Sequence, residues 1–585
     1  MNISIKVISR IMAASAAMML SVSCVRTLST DVLVIGGSTS GTAAAIAAAR
    51  QQVEVLVVEE TPMLGGMVSA QGVSATDGNY ELHTGIWKEF QDSLFAHYGS
   101  PEALMTGWVS LMQFEPHVAD RIFKNILGSE EKASVIHGYH VVAVEKDGDV
   151  VKGAVFEDEK GRKLRVNAKV TIDATDLGDV LPLSGTEYSL GMDDKGKTGE
   201  SKYADVANDV VQDLTLVGVL KDYGPDADMT IDEPEGFDRS EFDGLNITSE
   251  GKSIPVESVL TYGKLPGGKY MLNWPGRHGN DVYLQVVEMS HRERQEALKA
   301  ARAKTLRFIY YIQTVLGCRN LGVADDEFDT PDGLAYLPYN REGRRLKGVT
   351  VMTIDDMEDR YRNNRYRTAI SVGNYPVDHH HSQYGGKLSI HFPKVPSFSV
   401  SAGVLIPEKT DGLIVSDKAI SVTNLANGST RLQPVVMATG QAAGTLAALS
   451  VLEGVQPRNI PVRRLQSSLL EQGCYLQPLY DVAEDDPDFL AIHRVASTGI
   501  LRMEGEPWNW ANRTWFHPEE AVQVDEIIGG IQRFYPSCGE AEDAMKALET
   551  YLQEPRTRRE WARIIDEVLD PFSRDIDFEG NVIAD

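Results

Sequence analysis

The pattern of apolar and polar positions is most informative in the stretch 31–59. It opens with the apolar run 32–35, which predicts a short strand buried on both faces, and continues into the glycine-rich turn 36–41. The alanine-rich run 42–50 is dense in good helix formers, and the β-branched run 53–58 predicts a second strand. The stretch is therefore a predicted strand–helix–strand unit of fewer than 30 residues.

The turn in this unit has the glycine spacing of a dinucleotide-binding fingerprint. Gly36 permits the tight turn, and Gly41 lets the helix pack closely against the strand. The helix N-terminus offers N–H groups and partial positive charge to a pyrophosphate, although Ser38 replaces the usual second glycine. Glu59, 18 residues beyond Gly41, is placed to accept hydrogen bonds from an adenosine ribose. A purely structural turn is the alternative; the predicted dinucleotide-binding residues are Gly36, Gly37, Ser38, Ser40, Gly41 and Glu59.

Beyond this unit the pattern continues with alternating strands and loops. The glycine-bearing stretch 61–78 allows close approach of a flat ring system, although it also fits an ordinary loop. A helix is predicted to begin with Pro116 near its first turn. Apolar alternation over 135–170 predicts a β-meander, which ends in the turn 173–179.

Later segments are less regular. The charged stretch 187–250 has weak periodicity and is predicted to be a surface insertion. A long amphipathic helix is predicted over 292–316, a strand over 412–417 and a helix of small residues over 435–450.

Composition narrows the class of protein. At 585 residues and 42% hydrophobic, the chain can bury one large or two to three ordinary domains. Its formal net charge of −27 argues against a nucleic-acid partner, because phosphate neutralisation needs a basic face. Four cysteines are too few for a disulfide scaffold, and no cysteine or histidine spacing suggests zinc, so no metal is expected.

The first 23 residues have the features of a signal peptide. Basic residues precede the apolar run 11–20, and small residues lead to Cys24. A cysteine in this position resembles a bacterial lipoprotein cleavage site, although Ser21 stands where leucine is usual. We therefore expect an exported periplasmic or cell-envelope lipoprotein that contacts the membrane through a lipid on Cys24. A soluble periplasmic protein and an uncleaved anchor are the alternatives.

Several motifs between about residues 30 and 455 carry a resemblance to a known family. They are the opening unit with Gly65-Gly66-Met67, Asp173-Ala174-Thr175, Asn273-Trp274-Pro275, Gly279-Asn280-Asp281 and Arg431 followed by Gly440-Gln441-Ala442-Ala443-Gly444. In this order they resemble the exported bacterial FAD-dependent oxidoreductase family, which belongs to the glutathione-reductase-like flavoproteins. The resemblance implies an FAD-binding domain interrupted by a substrate or cap domain, with the late strand and helix returning to cover the flavin.

No flavin-linking residue can be chosen from the sequence, so the FAD is taken to be non-covalent, and whether it is covalent stays open. The resemblance supplies further expected contacts. It adds to the predicted cofactor-binding residues Gly65, Gly66, Met67, Ala174, Thr175, Asp417, Arg431, Gly440 and Ala443. Two positions depart from the family pattern. Asp176 follows Ala174-Thr175 where glycine is common, and Asp417 stands where glycine is common near the ribityl chain. An aspartate beside a pyrophosphate repels it unless the carboxylate is turned away.

The predicted fold class is α/β: a Rossmann-like FAD-binding domain with an interleaved α+β substrate or cap domain and a helical C-terminal module. The predicted divisions are 1–23 for the signal peptide, 24–184 and 401–458 for the FAD-binding domain, 185–400 for the insertion and 459–585 for the C-terminal module. The last of these loosely resembles a single S-layer homology module. A helical module packed on the oxidoreductase domain is favoured over a wall-binding one.

Three polar regions are candidates for substrate chemistry. Asp378, His379, His380 and His381 combine a carboxylate with imidazoles, which suits a base that deprotonates a hydroxyl group; a surface or metal-binding tract is the alternative. Arginines near 341–345 are candidates to clamp a carboxylate or sulfate, or to pair with local acids. His278, Asn280 and Asp281 form the third region, a candidate to bind sugar hydroxyls, with a simple turn as the alternative. The predicted substrate-binding residues are Asn273, Trp274, Asn280, Asp281, Arg341, Arg345 and Tyr375.

These features predict a dehydrogenase of a small polar substrate, either sugar-like or another hydroxy compound. No second dinucleotide fingerprint is present, so the expected electron acceptor is a quinone, another carrier or oxygen. Two alternatives belong to other classes: a flavin-free carbohydrate-active lyase and a non-catalytic cell-surface binding protein.

Overall fold

The computed structural model describes residues 25–200, 207–247, 251–273, 279–382, 393–507, 512–535 and 537–583. The helices are α1 (Thr39–Arg50), α2 (Gly85–Tyr98), α3 (Pro116–Gly128), α4 (Val180–Ser184), α5 (Lys195–Thr198), α6 (Val256–Leu260), α7 (His291–Thr314), α8 (Ile354–Glu358), α9 (Asn424–Thr430), α10 (Gln433–Glu453), α11 (Val462–Glu471), α12 (Phe489–Thr498), α13 (Val524–Phe534), α14 (Cys538–Ala547) and α15 (Arg558–Leu569). The strands are β1 (Arg26–Ile35), β2 (Val55–Glu59), β3 (Ala133–His137), β4 (His140–Asp147), β5 (Val150–Glu157), β6 (Lys163–Asp173), β7 (Tyr188–Ser189), β8 (Leu214–Thr215), β9 (Gly218–Asp222), β10 (Lys264–Leu265), β11 (Lys269–Leu272), β12 (Asp281–Val282), β13 (Leu321–Val323), β14 (Tyr339–Asn340), β15 (Arg345–Leu346), β16 (Ala369–Gly373), β17 (Phe398–Ser401), β18 (Leu413–Val415), β19 (Glu504–Glu506), β20 (Arg513–Trp515), β21 (Ala521–Val522) and β22 (Arg556–Thr557).

The main sheet has seven strands in the order β3-β2-β1-β6-β5-β4, with β18 also paired to β6. Strands β1, β2, β3, β6 and β18 run parallel, whereas β4, β5 and β6 are joined by antiparallel pairs. The predicted meander over 135–170 is therefore wrong for its first strand, because β3 pairs with β2 and β4 lies at the opposite end of the strand order. The long strand β6 pairs with β5 at its start and with β18 at its end. The α/β fold class is confirmed. The carboxyl ends of the parallel strands meet at one edge, where sheets of this kind bind ligands.

Helices α1 and α10 pack so closely that two positions of α10, Gly440 and Gly444, have no room for a Cβ atom. A Cβ atom on Gly440 would lie 2.3 Å from the carbonyl oxygen of Ser40, and one on Gly444 would lie 2.0 Å from that of Ala44. Helix α10 is long and apolar enough to cross a membrane, but 89% of its most apolar window is buried inside the protein. It is therefore a core helix, and its packing fixes the start of α1 beneath the fingerprint turn.

The region between β6 and β18 contains a second hydrophobic core. Strands β10, β11, β9 and β13 form an antiparallel sheet, and Phe308 from α7 packs with Leu220 and Phe242. The prediction that 187–250 is a surface insertion is therefore wrong for its later part, because Leu220 and Phe242 are fully buried. The strands in this stretch are only two to five residues long, too short to produce a visible alternation.

The C-terminal region is mainly helical in the part that the structure describes, with two short strand pairs, β19–β20 and β21–β22. Ile492 and Trp561 are buried in the same core cluster as the alanines of α1 and α10. Arg367, in the inserted region, donates hydrogen bonds to the carbonyl oxygens of Thr498 and Gly580. These helices are thus packed continuously against the rest of the protein.

Candidate functional site

The fingerprint turn has the close contacts that its glycines predict. Gly36 has a φ of +98°, and a Cβ atom there would lie 2.6 Å from the carbonyl oxygen of Ala174. A Cβ atom on Gly41 would lie 2.0 Å from the carbonyl oxygen of Gly36. Ser38 caps α1, because its Oγ accepts a hydrogen bond from the Gly41 N–H at 3.0 Å. The turn holds the N–H groups of the first turn of α1 at the mouth of the parallel sheet.

The carboxylate of Glu59 is held against the same turn. Its Oε2 accepts a hydrogen bond from the Gly37 N–H at 2.6 Å, and its Oε1 accepts from the Thr61 N–H at 2.8 Å and the Thr61 hydroxyl at 2.7 Å. Burial, with the charge of Glu60, raises the pKa of Glu59 to about 7. The side chain therefore has a fixed orientation at the end of β2, where a ribose is expected.

The loop that carries Gly65, Gly66 and Met67 packs directly on the fingerprint turn. The Gly65 N–H donates to the carbonyl oxygen of Gly37 at 2.8 Å, and a Cβ atom on Gly66 would lie 2.8 Å from the Cα atom of Ser38. Met67 is 1% exposed. Glycine at these positions lets two loops share the edge of the sheet.

A cleft of about 520 Å³ runs along this edge. The cleft is lined by Glu59, Tyr139 and His140, and around the fingerprint turn by Gly36, Ser38, Ala174 and Thr175. Gln71 and Asn340 also line it, and helix α7 contributes residues that include His291 and Arg294. The acidic group and the helix N-terminus match the ribose and the pyrophosphate of a dinucleotide.

Among the described residues, Oε1 of Gln71, which lines the cleft, is buried and has no hydrogen-bond partner. A buried oxygen of this kind is normally satisfied, so it is an acceptor site for a hydroxyl or N–H group of a ligand. Asp417 lies beside the fingerprint helix, because its N–H donates to Ser40 Oγ at 3.1 Å. The cleft and the Gln71 acceptor fit an extended, hydroxyl-bearing dinucleotide.

A second polar cluster is centred on Arg431, which is buried. Its Nη1 donates to the Tyr339 hydroxyl at 2.6 Å, and its Nη2 donates to Oδ2 of Asp378 at 2.9 Å. The guanidinium of Arg341 lies 5.1 Å from the centre of the Tyr339 ring. Tyr339 is followed in β14 by Asn340, which lines the cleft. Two consecutive residues thus join the dinucleotide cleft to the Arg431 cluster.

The histidine tract lies in this cluster. Nε2 of His380 is 3.3 Å from Oδ1 of Asp378, and Nδ1 of His379 is 3.2 Å from Nε2 of His381. Burial lowers the pKa of all three imidazoles; for His381, with the charge of His380, it lowers the pKa to about 4. Burial opposes ionisation of Asp378, but His380 and Arg431 outweigh it and hold the pKa of that carboxyl below its usual range. The tract therefore places the ionised carboxylate of Asp378 beside neutral imidazoles.

A family profile described as FAD dependent oxidoreductase matches residues 31–469. The chain belongs to the FAD-dependent oxidoreductase family. Its cofactor is FAD, which the cleft fits, and it is an enzyme. The predicted flavin-free lyase and the non-catalytic binding protein are therefore both wrong.

The chain is also similar to parts or all of several solved structures. Thermovibrio ammonificans THI4 has 18% identity, with 36% of this chain and 84% of that chain covered and a TM-score of 0.21. p-Nitrophenol 4-monooxygenase PnpA from Pseudomonas putida DLL-E4 has 11% identity, coverage of 96% and 100%, and a TM-score of 0.32. L-proline dehydrogenase from P. horikoshii has 11% identity, coverage of 76% and 99%, and a TM-score of 0.31. Identities of this size bear on the fold alone. The comparison with curated proteins found no match.

The two aspartates that depart from the family pattern share one buried lysine. Lys418, which is 1% exposed, donates to Oδ1 of Asp176 and lies 3.6 Å from Oδ1 of Asp417. Asp176 also accepts a hydrogen bond from Asn340 at 2.6 Å. The lysine offsets the negative charge that two carboxylates would otherwise place beside the FAD pyrophosphate. In the sequence, Lys418 directly follows Asp417, and this adjacency is the only signal of its role.

Several predicted contacts instead stabilise the fold of the oxidoreductase. Gly440 faces Ser40 across the packed helices, and Ala443 is fully buried; both take part in helix packing, and neither lines the cleft. Arg345 is fully buried and paired with Glu342 and Asp193, so it does not present a substrate clamp.

In the predicted sugar-binding segment, 273–281, two of the predicted residues also make contacts that stabilise the fold. Asn280 is fully buried and donates to the carbonyl oxygens of Leu216 and Leu272, which makes it a structural residue. Asp281 pairs with Thr215 in the short β12–β8 ladder. Asn273 is buried and its Oδ1 has no hydrogen-bond partner in the described chain, whereas Trp274 lies outside the described residues.

Sequence reasoning missed Asp77 as a titratable group of this site. Its N–H donates to Gln433 Oε1 at 3.2 Å, at the first turn of α10, and its carboxyl is hydrogen-bonded to Tyr375. Burial and the charge of Asp378 raise the pKa of Asp77 to about 7. Tyr375 is buried, and burial with the charge of Asp77 raises its pKa. The position of Asp77 in a glycine-rich loop gave no indication of this environment.

Proposed function

We propose that this FAD-dependent oxidoreductase removes two hydrogens from a small, polar, hydroxyl-bearing substrate, either a sugar or a related hydroxy compound. The observation that carries the proposal is the Asp378–His380 pair, which lies in a buried polar cluster joined to the FAD cleft through Tyr339 and Asn340. A carboxylate and a neutral imidazole in contact form the usual means of taking a proton from a hydroxyl group.

Bound FAD supplies the acceptor for the hydride that leaves the substrate carbon. The remaining proton, from the substrate hydroxyl, requires a base. Because the pKa of Asp378 is held low, its carboxylate only accepts hydrogen bonds, and the facing Nε2 of His380 carries the proton. The imidazole of His380 then takes the substrate proton, and Asp378 stabilises the imidazolium that forms. Asp378 itself is oriented by Arg431.

The proposed electron acceptor is a quinone, another carrier or oxygen. Support comes from the sequence, which has one dinucleotide fingerprint, at 36–41. We also propose that the protein is exported and that Cys24 carries a lipid. The apolar run 11–20 and the small residues before Cys24 support this. Cys24→Ser is expected to release the protein from the membrane fraction, and unchanged fractionation would rule out the lipid anchor.

The test of dehydrogenation is anaerobic loss of flavin absorbance when the holoenzyme is mixed with candidate sugars and hydroxy acids. His380→Gln is expected to slow flavin reduction by about 10²–10⁴-fold while FAD remains bound. The control is His97→Gln, which removes an exposed imidazole from α2. If His380→Gln is reduced at the wild-type rate, the base must be another group, with Asp77 and Tyr375 the next candidates.

A further inference from the structure

We propose that Arg341 anchors a carboxylate of the substrate, so that the substrate is a hydroxy acid or a sugar acid rather than a neutral sugar. This inference rests on the proposed function, because it names the substrate class of the same site. It is carried by the burial, the hydrogen bonds and the surroundings of one guanidinium group.

Arg341 is 2% exposed, yet among the described residues no carboxylate oxygen lies within 4.0 Å of its nitrogen atoms. Within the described chain, the hydrogen bonds of its guanidinium all use Nη1, which donates to the carbonyl oxygen of Asp213 at 2.8 Å and to Thr215 Oγ1 at 3.2 Å. An arginine has five N–H donors, so most of the donors of this buried fork have no acceptor in the described chain. A buried charge of this kind is costly unless a partner of opposite charge meets it.

The neighbouring arginines differ in this respect. Arg344 donates to Oδ1 of Asp179 at 2.8 Å, Arg345 pairs with Glu342, and Arg431 donates to Asp378. Each of these three has a carboxylate of the protein itself. Arg341 has only neutral acceptors and the face of the Tyr339 ring. Cation–π attraction offsets part of the cost of burial but supplies no hydrogen-bond acceptor.

Arg341 belongs to the same electrostatic cluster as the proposed base. Its charge contributes to lowering the pKa of both Asp378 and His380. A planar guanidinium pairs with a carboxylate through two parallel N–H···O bonds, which fixes the orientation of the ligand as well as its position. A substrate held at its carboxylate would therefore present its hydroxyl-bearing carbon within one small site. The charges of Asp378 and Asp213 act on Arg341 from beyond salt-bridge distance, so with a neutral sugar the guanidinium would have no carboxylate in direct contact.

The test uses the FAD-loaded enzyme and matched pairs of probes: glycerate with glycerol, and glucuronate with glucose. Binding is followed by the change in flavin absorbance during titration, in wild type, Arg341→Lys and Arg341→Gln. Arg319→Gln is the control, because it removes the same charge from an exposed pair with Asp228. FAD content and the thermal unfolding midpoint establish that each variant is folded.

The expected result is saturable binding of at least one carboxylate probe and none of its neutral partner. Arg341→Gln is expected to weaken that binding by about tenfold or more, Arg341→Lys by less, and Arg319→Gln not at all. The inference is overturned if neutral probes bind as tightly, or if Arg341→Gln binds the carboxylate as wild type does. It is also overturned if no carboxylate probe perturbs the flavin at concentrations that would saturate a site with a Kd of about 1 mM.

The two proposals fail in distinguishable ways. If a carboxylate binds in an Arg341-dependent manner but the flavin stays oxidised, the anchor stands and dehydrogenation of that probe is excluded. If neutral sugars bleach the flavin and Arg341→Gln bleaches at the same rate, dehydrogenation stands and the carboxylate anchor is wrong.

Discussion

The ammonium group of Lys418 is buried against the carboxylate of Asp176, at the edge of the sheet where the FAD pyrophosphate is expected. The same group lies 3.6 Å from Asp417, so one lysine serves two carboxylates. Burial raises the pKa of Asp417, and the charge of Lys418 opposes that rise. The positive charge of Lys418 thus offsets the negative charge of the two carboxylates, and both aspartates are tolerated beside a pyrophosphate for this reason.

Lys418→Met is expected to lower the free energy of unfolding by about 3–5 kcal/mol at neutral pH, since it leaves buried carboxylates without a counter-ion. The loss should shrink at acidic pH, because burial raises the pKa of Asp417 and its protonation removes a buried negative charge. Urea unfolding of the apoprotein at both pH values measures it. Lys409→Met, which breaks an exposed pair with Glu187, is the control and is expected to have no measurable effect. Equal stability of the two variants would contradict the role assigned to Lys418.

Glu59→Ala is expected to weaken FAD binding by about 1–3 kcal/mol, because ribose hydroxyls would lose their acceptor. The measurement is the Kd for FAD from quenching of flavin fluorescence on titration with folded apoprotein. Glu54→Ala removes a carboxylate that faces solvent and pairs with Lys132, so it should leave the Kd unchanged. An unchanged Kd in Glu59→Ala would mean that the ribose lies elsewhere.

The raised pKa of Asp77 predicts a pH dependence of stability. In the unfolded chain this carboxyl has a pKa near 3.8, whereas in the folded protein it is about 7. Between these values the folded state keeps a proton that the unfolded state has released, so its contribution to stability is present at low pH and is lost as pH rises towards 7. Asp77→Asn should therefore lose less stability than wild type between about pH 5 and pH 8. Urea midpoints at fixed FAD saturation measure this; identical pH slopes would show that Asp77 titrates normally.

The contact between α1 and α10 predicts a sharp difference between two glycine substitutions. Gly444→Ala would place a methyl group 2.0 Å from the carbonyl oxygen of Ala44, so the helices must separate. We expect a loss of about 1–3 kcal/mol in the free energy of unfolding and weaker FAD binding, since α1 carries the fingerprint turn. Gly128→Ala meets nothing within 4 Å and should change stability by no more than about 1 kcal/mol. Similar midpoints for the two variants would show that the helix contact is loose.

Local patterns were enough for the strand–helix–strand unit, for the β4–β5–β6 part of the β-meander and for the helix of small residues. These elements depend on periodicity and on glycines whose constraints are met within a short stretch of chain, as at Gly36 and Gly41. The stretch 187–250 was predicted wrongly because its strands, such as β9, are short and become buried only against α7, which follows some 70 residues later.

The sequence by itself determined that this protein has a dinucleotide-binding α/β fold with an acidic group at the end of β2, because those features are encoded over fewer than 30 residues. It also placed arginines together at 341–345. Only the tertiary structure decided that Arg345 forms ion pairs with Glu342 and Asp193, whereas Arg341 forms none with a carboxylate of the described chain. The same holds for Lys418 and its link to Asp176, which is 242 residues away. Whether a buried charge is structural or available to a ligand depends on partners distant in sequence. Electrostatic pairing acts through space, and local spacing does not record it.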